Sequence, residues 1–173
     1  LNGDLDQLYS PYLLKDMDRA VAILKKKVEA GAQIRIVGDY DIDGVCSTYI
    51  LLQAFRRLGA SVDYDIPDRI KDGYGINESI IEKAREDGVD TLLTCDNGIS
   101  ARQQIALAKS YGMTVVVTDH HEVPADESGE LLPPADAVID PKQRECTYPF
   151  PEICGAVVAY KLVEVLYEAC GVP

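Results

Sequence analysis

Three short apolar runs, each ending in carboxylates or imidazoles, constrain this chain more than any other feature. Ile34-Arg35-Ile36-Val37 leads into Gly38-Asp39-Tyr40-Asp41-Ile42-Asp43-Gly44, and Thr91-Leu92-Leu93-Thr94-Cys95 leads into Asp96-Asn97-Gly98. Met113-Thr114-Val115-Val116-Val117-Thr118 leads into Asp119-His120-His121-Glu122, which holds the only two histidines of the sequence. Short apolar runs bounded by turn residues read as buried strands. In open α/β sheets, ligands bind outside the carboxyl ends of the strands. Three strands that deliver acid or imidazole to one rim therefore predict a metal site.

The segments between these runs carry helical periodicity. Leu14, Met17, Val21, Leu24 and Val28 are spaced three or four apart, which predicts a helix from Leu14 to Ala30 stopped by Gly31. After a strand at 33–37 and the acidic loop, Val45 to Leu58 predicts a second helix, ending in Arg56-Arg57 and closed by Gly59. A weakly alternating strand is expected at 61–66, and a helix capped by Asn77 runs through Ile80, Ile81 and Ala84 to Gly88. The strand at 91–95 precedes a helix from Ser100, its expected cap, to Tyr111, and the strand at 114–118 follows. A loop rich in Pro, Glu and Asp at 122–136, a short strand at Ala137-Val138-Ile139-Asp140-Pro141 and a helix from Ile153 to Cys170 complete the pattern. Alternating strands and helices predict the α/β class: a doubly wound, mainly parallel, Rossmann-like sheet with helices on both faces and right-handed crossovers. At 173 residues the chain suits a single domain.

Composition narrows the function. With 17 Lys plus Arg against 29 Asp plus Glu, the formal charge of −12 argues against a protein that coats nucleic acid without sequence preference. No apolar run approaches the length of a membrane span, and Leu1-Asn2-Gly3-Asp4 has neither the basic nor the apolar region of a signal peptide. The absence of an initiator Met suggests a piece of a longer protein. Five cysteines, at 46, 95, 146, 154 and 170, form no C-x-x-C pair, so neither a disulfide scaffold nor a structural zinc site is expected. Cys46, Cys95 and Cys154 lie in apolar segments and are expected to behave as small hydrophobes. A reducing, cytoplasmic setting fits.

Asp39, Asp41 and Asp43 can be read as a turn and helix cap. One aspartate would satisfy that role, however, and three within five residues repel one another unless a cation or proton offsets them. Asp96-Asn97-Gly98 alone reads equally well as a turn. Adjacent imidazoles at 120 and 121 point in different directions, so one can bind metal while the other faces substrate. Carboxylates with imidazole suit Mn²⁺ or Mg²⁺, with Zn²⁺ possible, and a bridging Asp can hold two ions that activate water against a phosphoester. No phosphate-cradling G-x-x-x-x-G-K-[ST] loop, no G-x-G-x-x-G after the first strand and no serine at a nucleophile elbow compete with metal-assisted hydrolysis. Arg69 and Lys71, beside Gly73-Tyr74-Gly75, read either as a solvated loop or as a clamp for phosphate and base.

Taken together, these residues resemble the DHH phosphoesterase superfamily, named for the Asp-His-His found here at 119–121. Within it the chain is similar to the branch of bacterial single-strand-specific 5′→3′ exonucleases. Further segments carry that similarity: Pro11 to Met17, Val37 to Gly44, Asp72-Gly73-Tyr74-Gly75-Ile76-Asn77, Cys95 to Ile99 and Cys154-Gly155-Ala156-Val157. The resemblance implies that Asp41 and Asp43 are metal ligands, that Asp96 bridges two Mn²⁺ or Mg²⁺ ions, and that His120 completes one ion's shell. It implies that His121 faces the scissile phosphate as a hydrogen-bonding or general-acid group, and that Arg69 and Tyr74 meet the 5′-terminal nucleotide and its phosphate. Asp39 stands close by without a ligand role. Val37 occupies the place where pyrophosphatase relatives carry a histidine, which argues against that activity.

The same resemblance implies a further metal-binding Asp, a DHH-associated domain and an OB-fold, all outside this DHH domain of residues 1–173. The expected function is metal-dependent 5′→3′ hydrolysis of single-stranded DNA in repair and recombination, with a single-strand-binding protein or helicase as partner of the intact enzyme. Two alternatives stay open: a phosphodiesterase for short oligonucleotides or cyclic dinucleotides, and a non-catalytic metal- or partner-binding module.

Overall fold

A computed structural model describes residues 3–68 and 75–173. Two short 3₁₀ turns, Leu5–Gln7 and Pro11–Leu13, lead into α1 (Met17–Glu29), β1 (Ile34–Val37), α2 (Ile42–Arg57) and β2 (Val62–Asp65). After these come α3 (Glu78–Glu86), β3 (Thr91–Thr94), α4 (Arg102–Ser110) and β4 (Thr114–Thr118). A minimal hairpin of β5 (Ala125–Asp126) and β6 (Gly129–Glu130) precedes β7 (Ala137–Ile139) and α5 (Gly155–Cys170). The main sheet has the order β2-β1-β3-β4-β7, with every pair parallel.

Because side chains alternate along a strand, each central strand serves two cores. Ile34, Ile36, Leu93, Val116, Ala137 and Ile139 pack with residues of α1, α2 and α5. Leu92, Val115, Val117 and Val138 face the other way, onto residues of α3 and α4. Both faces are thus buried, as a parallel sheet requires, and the expected doubly wound class is what the chain adopts.

Sheet order places the functional rim. From β1 the chain winds outward to β2, then returns to β3 on the other side of β1, so the direction of winding reverses between β1 and β3. Loops leaving such a switch point diverge and open a crevice. Register keeps those ends level: Val37 pairs with Thr94, and Thr94 with Val117.

Several boundaries differ from the sequence-based expectation for local reasons. α2 starts at Ile42 rather than Val45, because Asp41 Oδ1 accepts the Gly44 N–H at 2.7 Å and caps the helix three residues earlier. Asp43 therefore lies in a helical first turn and not in a loop. α4 begins at Arg102 with Ala101 at its N-cap and no side-chain cap, so Ser100 does not play the capping role expected of it. α1 begins at Met17, and the preceding Asp16 turns left-handed (φ 66°) while its Oδ2 accepts the Val138 N–H.

Of the three cysteines expected in apolar surroundings, only Cys95 is buried; Cys46 and Cys154 are exposed. The phase of α2 explains the first. Ser47, Thr48 and Leu51 face inward, so the helical period turns Ile42, Val45, Cys46 and Tyr49 outward. Cys154 sits at the N-cap of α5. No helix among the described residues is long and apolar enough to cross a membrane.

Candidate metal centre

Four segments meet at the rim, beginning with the turn that follows β1. Close packing shapes that turn: a Cβ on Gly44 would lie 2.6 Å from both Cβ and the carbonyl oxygen of Asp39, and one on Gly38 would lie 1.9 Å from Thr48 Oγ1. Glycine alone lets α2 start this close to the strand end. Asp39, fully buried, accepts the Tyr40 N–H at 2.7 Å, while Asp41 stays exposed as the α2 cap.

The second segment follows β3. Asp96 is buried and adopts a left-handed backbone (φ 59°), uncommon for a residue other than glycine and tolerated best by Asp and Asn. Its neighbour Asn97 holds the turn. Asn97 Nδ2 donates to the carbonyls of Val37 (3.1 Å), Gly38 (3.0 Å) and Cys95 (3.0 Å), and its Oδ1 accepts the Ile76 N–H (3.2 Å).

The third segment follows β4. His120 Nε2 lies 2.8 Å from Asp96 Oδ1 and 3.2 Å from Asp43 Oδ2, joining the β1, β3 and β4 arms in one contact. Asp119 is saturated with donors: Oδ2 accepts the Ile99 N–H (3.0 Å), and Oδ1 accepts the N–H groups of His120 (2.8 Å) and His121 (3.3 Å). His121 Nδ1 is 2.6 Å from the same Oδ1. Asp119 thus orients the His121 ring. A cleft of about 160 Å³ opens beside His121, lined in part by Gly75, Asn97, Ser100 and Gln104.

The fourth segment is the start of α5. The N–H groups of Gly155 and Ala156 donate to the two oxygens of Asp43, at 2.7 and 2.8 Å.

Electrostatics separate the carboxyls. Burial works against the charge of Asp43, but the amides of Ala156 and Gly155, then His120, outweigh it and hold this carboxyl below its ordinary value. Asp96 goes the other way: burial pushes it up to about 6, against the pull of His120 and with reinforcement from Asp41 and Asp43. The hydrogen bond to Asp119 raises His121 to about 9 in spite of burial, and the bond to Asp96 raises His120. One more buried acid lies nearby. Burial raises Asp140, after β7, to about 7, with Asp119 adding to the effect; its Oδ1 accepts the Lys142 N–H at 2.9 Å.

Of the residues singled out from the sequence, the structure brings Asp41, Asp43, Asp96, His120 and His121 to one rim. Arg69 and Tyr74 lie outside the described residues. Asp96, Asp119, His120 and His121 each present a donor atom within 4.8 Å of the others. That mix of carboxylate and imidazole fits an oxygen-preferring divalent ion such as Mn²⁺ or Mg²⁺.

Sequence reasoning missed Asn97, whose Asn-Gly context reads as an ordinary turn. It also missed the α5 amides, since main-chain donors leave no side-chain signature; the adjacent Gly155 was the one visible sign.

Comparison with known proteins places this geometry. Residues 33–172 match the model of the DHH family, N-terminal domain. The chain is 42% identical over 158 residues to the single-stranded-DNA-specific exonuclease RecJ of Bacillus subtilis (strain 168), covering 91% of this chain and 20% of that protein. It is 40% identical over 154 residues to RecJ of Escherichia coli (strain K12), covering 88% of this chain and 26% of that one. A crystal structure of exonuclease RecJ bound to manganese superposes with a TM-score of 0.81 at 34% identity, covering 92% of this chain and 39% of that one. The chain therefore spans only a fifth to about a quarter of the length of these curated relatives.

Proposed function

The chain belongs to the DHH family, and from that premise we propose that it is the metal-binding part of a 5′→3′ exonuclease acting on single-stranded DNA. The observation that carries the reading is the approach of His120 Nε2 to Asp96 at 2.8 Å and to Asp43 at 3.2 Å, at the sheet's switch point. Similarity to RecJ proteins over most of this chain supports the substrate class.

In this reading Asp41, Asp43, Asp96 and His120 hold the metal, with Asp96 between the two arms. Bound Mn²⁺ or Mg²⁺ would activate water and neutralise charge developing on the phosphate. Asp119, fixed by the Ile99 amide, keeps His121 in one orientation and favours its protonated form. His121 Nε2–H is then the group that donates to the scissile phosphate or the departing oxygen. Arg69 and Tyr74 would engage the 5′-terminal nucleotide and its phosphate.

The further metal-binding Asp, the DHH-associated domain and the OB-fold belong to the longer protein, where a single-strand-binding protein or helicase would dock. A reducing, cytoplasmic setting suits the five free cysteines.

The test is to incubate the full-length protein with Mn²⁺ and 5′-phosphorylated single-stranded DNA, with cyclic dinucleotides in a parallel reaction. Mononucleotide release from the strand, absent in Asp96→Asn, is expected. Turnover of cyclic dinucleotides alone would reassign the protein as a small-substrate phosphodiesterase. Metal binding with turnover of neither would make it a binding module.

A further inference from the structure

We propose that the first turn of α5, through Gly155 and the Ala156 amide, is a positioning element of the metal centre that sets its affinity for metal. The inference rests on the metal-binding reading above and adds residues that carry no metal-ligating side chain.

Three observations converge on this turn. First, α5 has no cap of its own: Cys154 stands at its N-cap without a side-chain hydrogen bond. The missing cap comes from another helix. Asp43, on α2, accepts from Gly155 N–H through Oδ2 and from Ala156 N–H through Oδ1. A carboxylate at this end also meets the favourable pole of a 16-residue helix.

Second, the oxygen that accepts from Gly155 is the one that lies 3.2 Å from His120 Nε2. Holding both oxygens of Asp43 fixes the plane of its carboxylate relative to His120 and Asp96. A ligand fixed in this way loses little freedom when it meets an ion, the role that partners behind a metal ligand usually play.

Third, position 155 has no room for a side chain. A Cβ there would lie 2.9 Å from Asp96 Oδ1, 3.0 Å from Asp43 Oδ2 and 3.0 Å from Asp96 Cβ. Its backbone φ does not fall in the left-handed region, so the requirement for glycine comes from these contacts and not from conformation. The atoms that forbid a larger residue belong to two of the proposed ligands. Helix propensity alone would favour alanine over glycine here, so the glycine answers to the contacts with Asp43 and Asp96 and not to the helix.

The experiment measures Mn²⁺ binding to the full-length protein by isothermal titration calorimetry, alongside the thermal midpoint of the metal-free form. Gly155→Ala should weaken Mn²⁺ binding by about 10- to 100-fold, the usual cost of disturbing the support of a ligand. Ala156→Pro removes one donor to Asp43 and turns its ring Cδ toward that same carboxylate, so the support is lost and the carboxylate must shift, while proline itself is accepted in a helical first turn. It should weaken binding about tenfold, whereas Ala156→Gly keeps the N–H and should match the parent. Should Gly155→Ala fail to fold, the Ala156 pair decides the question. Affinity within twofold of the parent in folded Gly155→Ala or Ala156→Pro would overturn the inference. A parent protein that binds no Mn²⁺ would instead overturn the functional reading on which it stands.

Discussion

Asn97 donates its side-chain amide to the carbonyl of Val37 at 3.1 Å, tying the turn after β3 to the last residue of β1. The same nitrogen reaches Gly38 and Cys95, and the side-chain oxygen accepts from Ile76, so one amide joins both strand ends to the segment that precedes α3. Asp96, the neighbour, takes its position from this arrangement.

Replacing that amide should therefore cost more than an ordinary surface polar change. Asn97→Asp would turn a carboxylate toward three carbonyl oxygens in a buried place, with an expected loss of roughly 3 to 5 kcal/mol. Asn97→Ala leaves the carbonyls without their donor and should cost about 1 to 3 kcal/mol. Urea unfolding of the two variants checks the order; an Asp variant as stable as the Ala variant would contradict the described network.

Asp96→Asn should separate stability from metal binding. Asparagine tolerates the left-handed backbone at this position (φ 59°) and removes a buried acid crowded by Asp41 and Asp43. Metal-free stability should stay within about 1 kcal/mol of the parent or rise. The rise in melting temperature produced by Mn²⁺ should vanish, as thermal denaturation with and without the ion would record.

His121→Gln should slow turnover without emptying the site. A general acid or phosphate donor contributes typically about 10²- to 10⁴-fold, so kcat should fall by at least about 100-fold while Mn²⁺ affinity holds within a few fold. A parallel loss of affinity would instead make His121 a ligand.

A pH-dependent contribution to stability sits away from the centre. Burial disfavours the charge of Asp136, but the Lys109 ammonium at 2.7 Å and the Val115 amide at 2.8 Å outweigh it and hold the carboxyl below its ordinary 3.8. A group depressed on folding stabilises the protein above its unfolded value and loses that effect as pH falls through the folded one. Asp136→Asn should cost about 1 kcal/mol near neutrality, partial exposure having weakened the pair. The gap should close in denaturation at acidic pH; a gap independent of pH would mean that charge is not the cause.

Much of this architecture can be read from the sequence because strand burial and helix periodicity are local properties. The β4 run at 114–118 fell where expected, with Asp119, His120 and His121 directly after it, as did the Asn77 cap of α3. Local signals misplaced the start of α2 because Asp41 has two readings, cap and ligand, and the geometry it adopts is that of the cap. Ser100 looked like a cap by type, yet the chain passes it before the helix begins. What no local signal carries is contact between distant segments: Asn97 with Val37 lies 60 residues apart, and Asp43 with Gly155 lies 112 apart.

That last separation bears on how the protein is made. Asp41, Asp43, Asp96 and His120 are all synthesised before α5 exists, and the N–H groups that hold Asp43 come from residues added later. Chains emerge from the ribosome in order, at about 5 to 20 residues per second. A nascent chain halted at residue 150 would carry Asp41, Asp43, Asp96, His120 and His121 and still lack the turn that holds Asp43. Asp43 therefore waits, within each molecule's own synthesis, for a helix translated more than a hundred residues after it.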